Sequence, residues 1–109
     1  DSIELHEEAY AMMLNYNMKA LGLICVGSGS STQSMVDIRR VAQAALLVNA
    51  TAVALCHNHP SGNMKPSIDD RNITKRAADA LRCLGIRLLD HIIISPEGDY
   101  YSFADEGEL

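Results

Sequence analysis

Ala52-Val53-Ala54-Leu55-Cys56-His57-Asn58-His59-Pro60-Ser61-Gly62 changes character halfway along. Its first five residues are apolar, too few for a stable helix and suited to a strand covered on both faces. The run stops at His57, and Pro60, Gly62 and Pro66 make residues 57–66 read as a loop. Helical spacing lies on either side. Upstream, Val36, Ile38, Val41, Ala42, Ala45 and Leu46 recur at intervals near three and four, with Arg39, Arg40 and Gln43 on the polar face. Downstream, a second helix is expected after Ser67, running to about Leu84 on a stripe of Ile73, Ala77, Ala80, Leu81 and Leu84, with Gly85 ending it.

Further out, both ends of the chain read as strands. Glu8–Leu14 and Ala20–Val26 are strand-sized runs joined by Asn15-Tyr16-Asn17-Met18, where the asparagines tolerate turn dihedrals, so a hairpin is expected. Ser28–Thr32 reads as a loop. Ile86–Ile94 is a strand, Pro96-Glu97-Gly98-Asp99 a turn, and Tyr100–Phe103 a last short strand. The order β-β-α-β-α-β-β predicts an α/β (α+β) fold, a mixed sheet with helix cover. With 109 residues, the whole of 1–109 is expected to form one domain.

Composition narrows the function classes. Nine Lys and Arg against fourteen Asp and Glu give a net charge of −5. That argues against binding a phosphate backbone by counterion release, so direct nucleic-acid binding by this domain is not expected. No apolar run is long enough to span a bilayer, and Glu4, Glu7 and Glu8 occupy the place where a signal peptide would be basic and then apolar. A cytoplasmic protein without membrane contact is expected. Cys25, Cys56 and Cys83 are odd in number, widely spaced and set in apolar stretches, which suits buried free thiols. Exposed strand edges would permit a homodimer, but no pattern specifies the oligomeric state.

The chemistry concentrates in residues 57–70. Two imidazoles one residue apart point the same way if the extended conformation persists past the strand, so His57 and His59 can share one ion. Asp70 lies three residues after Ser67, on the first turn of the second helix, and a loop folding back would bring its carboxylate to the same place. Two His and one Asp make a three-ligand set for Zn²⁺, leaving a fourth position for water. Ser67-x-x-Asp70 is also a variant capping box, which alone would explain both residues.

His57-x-His59-x7-Ser67-x2-Asp70 resembles the signature of the JAMM (MPN+/JAB) metalloproteases. HNHPSGN, with Leu89-Asp90-His91 and Tyr101-Ser102-Phe103-Ala104, looks like the RadC branch of that family. The resemblance implies a mixed sheet flanked by helices, related to the cytidine deaminase fold, and one zinc held by His57, His59 and Asp70. It implies an early-strand glutamate as general acid/base on the attacking water. The RadC pattern places that residue on Glu7, whereas strand alternation leaves Glu7 and Glu8 equally suited. It implies that Ser67 donates to the oxyanion, and that Asp90 and His91 are candidates to hydrogen-bond a ligand imidazole. Arg39 falls where relatives carry an arginine, but Ile38 replaces the proline that precedes it, and a solvated helix face explains it. The expected function is zinc-dependent hydrolysis of a peptide or isopeptide bond in an unknown protein or peptide substrate. The alternative is a catalytically silent, metal-containing binding module associated with DNA repair. Longer RadC proteins carry a helix-hairpin-helix segment, where DNA binding would be expected.

Overall fold

The structure, a computed structural model, describes residues 6–29 and 36–109. Its elements are β1 (Glu7–Leu14), β2 (Ala20–Gly29), α1 (Ile38–Leu47), β3 (Ala52–Asn58), α2 (Ile68–Cys83), β4 (Arg87–Ile94) and β5 (Tyr100–Ser102). They form a five-stranded mixed sheet in the order β2-β1-β3-β4-β5. β1 runs antiparallel to both β2 and β3, β3 and β4 are parallel across the α2 crossover, and β5 returns antiparallel to β4. This is the α+β arrangement read from the sequence.

Alternation along the central strands places the core. Ala9, Ala11 and Met13 on β1 and Val53 and Leu55 on β3 are fully buried on one face, against Val41 and Ala45 of α1 and Ala77 and Leu81 of α2. Both helices therefore cover the same face. The small residues of β1 let α1 approach the sheet closely, and the stripe of α2 fills the space beside it. Leu84, expected in that stripe, is 44% exposed, because α2 ends at Cys83 and Leu84 is its C-cap. Gly85 follows at φ 73°, and the Ile86 amide donates back to the Leu81 carbonyl, closing the helix end.

Several boundaries differ from those read in the sequence, for local reasons. β3 continues through His57 and Asn58, because His57 still pairs with Ala9 on one side and Ile93 on the other. β2 runs on to Gly29, carried by pairing with Glu7 and Glu8, so Ser28 and Gly29 are strand, while Ser30–Thr32 lie outside the described residues. α1 begins at Ile38, because the Asp37 side chain accepts from the Arg40 amide and caps it there. In the hairpin turn the positive φ belongs to Met18 (63°), while Asn15 acts through its side chain, accepting from the amides of Asn17 and Lys19. The cysteines are free, but Cys25 and Cys56 are half-buried and Cys83 is exposed, since it sits on the last turn of α2 away from the sheet. No helix of the described residues is long and apolar enough to cross a membrane.

Candidate metal centre

β3, the loop after it and the first turn of α2 converge at one end of the sheet. His57 closes β3 on the helix-covered face and is 6% exposed; His59 keeps the same orientation one step beyond the strand. Ser67 caps α2 in a full capping box: its Oγ accepts from the Asp70 amide at 3.0 Å, and its own amide donates to Asp70 Oδ2 at 2.8 Å. The box aims the Asp70 carboxylate back across the end of β3, at the two rings. Nε2 of His57 and Nε2 of His59 are 3.0 Å apart, and they lie 3.2 Å from Asp70 Oδ1 and Oδ2 respectively.

Hydrogen bonds behind the rings fix which nitrogens carry protons. The Asn63 carbonyl can only accept, so at 2.7 Å it takes the Nδ1 proton of His59, leaving the neutral ring's lone pair on Nε2. Behind His57 the chain is longer. Thr74 donates its hydroxyl proton to the Asp70 carbonyl at 2.7 Å and must then accept from His91 Nδ1 at 2.6 Å. Burial is the main cause that lowers the His91 pKa, to about 3, with the nearby His57 adding to it, so the ring is neutral and its Nε2 is a lone pair. That Nε2 accepts from His57 Nδ1 at 2.8 Å, which puts the lone pair of His57 on Nε2 as well. With both rings neutral, two imidazole lone pairs and a carboxylate therefore face one another with no donor among them, and a second ring proton or a cation is what can bridge them.

Such a donor set calls for a cation. Burial pushes the Asp70 carboxyl up, but hydrogen bonds from the protonated forms of His57 and His59 and from the Ser67 amide outweigh it and hold the group well below the usual carboxylate range. The hydrogen bond that the protonated His59 ring gives Asp70 likewise raises the His59 pKa, against burial. The spacing fits a metal: bonds of about 2.0–2.1 Å in a tetrahedron set ligand atoms roughly 3.3 Å apart, close to the nearest approaches here. One ligand atom from each of His57, His59 and Asp70 can be chosen within 4.8 Å of one another, so these three residues could hold an ion.

The early glutamates part company. Glu7 shares its parity with Ala9, Ala11 and Met13 on the helix-covered face, whereas Glu8 lies opposite, accepting from the Tyr10 hydroxyl at 3.1 Å. Burial raises the Glu7 carboxyl pKa, the imidazoles of His57 and His59 lower it, and the charge of Asp70 raises it. Glu7 is thus electrostatically coupled to all three members of the cluster. Ser67 is brought to the edge of the cluster through Asp70 and is itself exposed to solvent. Of the pair at 90 and 91, only His91 reaches a candidate ligand. Asp90 instead accepts from the amides of His91 and Ala104 and from the Ser102 hydroxyl, tying the C-terminal turn to β4. Arg39 is exposed on α1, which supplies none of the three cluster residues. Sequence reasoning missed Thr74, whose signal is its place four residues after Asp70 on the buried side of α2.

The RadC-like JAB domain family matches residues 2–108. The chain belongs to that family. Curated relatives named UPF0758 protein are similar over nearly the whole chain: one from Porphyromonas gingivalis is 40% identical over 94% of it, and one from Flavobacterium johnsoniae 42% over 94%. One from Clostridium acetobutylicum is 45% identical over 94%. The RadC-like chain spans 44–45% of the length of these three relatives.

Proposed function

We propose that this RadC-like JAB domain is a zinc-dependent hydrolase that cleaves a peptide or isopeptide bond. The reading is carried by the donor-free convergence of His57 Nε2, His59 Nε2 and the Asp70 carboxylate, set by the hydrogen bonds of Asn63, Thr74 and His91 behind them. His57, His59 and Asp70 would hold the ion. When bound, zinc lowers the pKa of water at an open coordination position from that of bulk water to about 7 and polarises a carbonyl. Glu7 takes the proton of the attacking water and delivers it to the leaving amine; the burial that raises its pKa strengthens it as the base of the first half. Ser67 Oγ accepts from the Asp70 amide and still has its own proton, which it donates to the oxyanion that develops on the attacked carbonyl. A net charge of −5 favours a protein or peptide substrate over duplex phosphate, and three free cysteines suit a reducing, cytoplasmic setting.

The test combines metal content with turnover. Protein purified without added metal should carry near-stoichiometric zinc, lost in the His57→Ala, His59→Ala double variant. Glu7→Gln should keep the zinc and lose roughly 10²–10⁴-fold in turnover across a panel of peptides and isopeptides. Zinc retained by the double variant would refute the site. A zinc-loaded wild type that cleaves nothing in the panel would leave a metal-containing binding module in place of the enzyme.

A further inference from the structure

The register between β1 and β3 ends at Ala9↔His57. Just beyond it the main chain of β3 turns to its other neighbour, where the His59 amide donates to the Ile94 carbonyl of β4 at 2.8 Å. The backbone groups of β1 left without that main chain are the ones on each side of Glu7. In an extended strand the carbonyl before a residue and the amide after it point to the same side, and here that side faces β3. The Asn58 carboxamide meets both. Its Oδ1 accepts from the Glu8 amide at 2.7 Å, and its Nδ2 donates to the His6 carbonyl at 3.1 Å. A carboxamide carries the same donor and acceptor as a peptide group, so the side chain continues the ladder where the main chain departs.

We propose that Asn58 is the positioning residue for Glu7. By gripping the backbone immediately before and after Glu7, it sets the direction in which that carboxylate leaves β1 toward His57, His59 and Asp70, without touching it. The proposal rests on Glu7 being the proton-transfer group. It explains why the residue between the two histidines is Asn in this chain. Asp keeps an acceptor for the Glu8 amide but turns a charge on the His6 carbonyl. Ser or Thr offers one short-reaching oxygen to two groups that lie on either side of a residue. A single tripeptide, His57-Asn58-His59, then places two candidate ligands on one side and the grip on Glu7 on the other.

The experiment measures amide exchange at Glu8 in the zinc-loaded chain, for wild type, Asn58→Ala and Asn58→Asp, together with kcat and KM for those variants with and without Glu7→Gln. The Glu8 amide should be protected in wild type and Asn58→Asp and exposed in Asn58→Ala, with zinc content equal in all three. Asn58→Ala should lower kcat by roughly 10- to 100-fold, the scale expected of a misplaced reacting group, and leave KM nearly unchanged. In the Glu7→Gln background the same substitution should cost almost nothing, because both changes remove one contribution. A Glu8 amide that exchanges equally fast in wild type and Asn58→Ala, or losses that multiply when the two substitutions are combined, would overturn the positioning role while leaving the base reading intact. Glu7→Gln turning over like wild type would instead overturn the base reading, and the positioning role with it. Should Asn58→Ala fail to fold, Asn58→Asp decides alone: it loses the grip on the His6 carbonyl, so its kcat should fall with KM nearly unchanged, and a wild-type kcat would overturn the proposal.

Discussion

Thr74 has a single hydroxyl proton, and its destination decides the tautomers of two rings. Given to the Asp70 carbonyl, it obliges His91 to donate from Nδ1 and His57 to donate from Nδ1 in turn, which frees His57 Nε2. The circuit closes on itself, since Asp70 supplies both the carbonyl at its start and the carboxylate at its end. Thr74→Val is nearly isosteric but can neither donate to Asp70 nor accept from His91, so the His57 tautomer is no longer imposed. Metal affinity, measured by competition with a chromophoric chelator, should fall about 10- to 100-fold. Thr74→Ser should stay close to wild type, and equal affinity in the Val variant would show that the circuit does not govern the site. Phe103, stacked on His91 with ring centroids 5.1 Å apart, holds the middle of the circuit in place.

At the level of elements, the N-terminus of α2 does two things with one motif. Ser67 Oγ relieves the Asp70 amide, while the Ser67 amide orients the carboxylate. Ser67→Ala removes only the first, so the protein should lose about 1 kcal/mol in a urea melt, with Ser67→Thr close to neutral, while metal affinity changes little in either. Turnover should drop in the Ala variant and persist in Thr, if the hydroxyl also serves the oxyanion. This capping box was legible in Ser67-x-x-Asp70, as were both helices and the hairpin, because period and caps are local signals. The end of β3 was not: Pro60 and Gly62 suggested a loop from His57, whereas pairing with β1 and β4 holds the strand to Asn58. For the same reason the parity of Glu7 against Glu8 was undecided in the sequence. It is settled by which side of β1 meets the helices, a tertiary fact. The pattern His57, His59 and Asp70 could be read because three candidate ligands of two types at fixed spacing survive any detail of the loop. Asn58 acts through backbone groups of distant residues, which no spacing announces, and the one spacing that marks Thr74, four residues after Asp70, does not show that its hydroxyl also meets His91.

Across the whole molecule, the cluster joins β3 to α2 beside β1, so its charge state bears on global stability. His91 is fully buried with a pKa lowered to about 3, against about 6.5 in the unfolded chain. Between those values the unfolded state binds the extra proton, so the metal-free protein should lose stability as pH falls below about 6.5, by at most about 1.4 kcal/mol per unit. Asp70, held low, adds its own loss once pH drops below the unfolded carboxylate value. The raised His59 works the other way, since its contribution is full below its unfolded pKa and is lost as pH rises through the folded one. A metal bound only by the folded chain shifts this balance. At free zinc near 100 times Kd it should stabilise by about 2.7 kcal/mol, roughly 10 °C in Tm for a chain of this size. Because protons compete with the ion for both imidazoles, the gap between zinc-loaded and chelator-treated protein should narrow steadily from pH 7.5 to pH 5. Scanning calorimetry over that range checks it: a Tm unmoved by chelator at pH 7.5, or a gap independent of pH, would mean that no ion is held by His57 and His59.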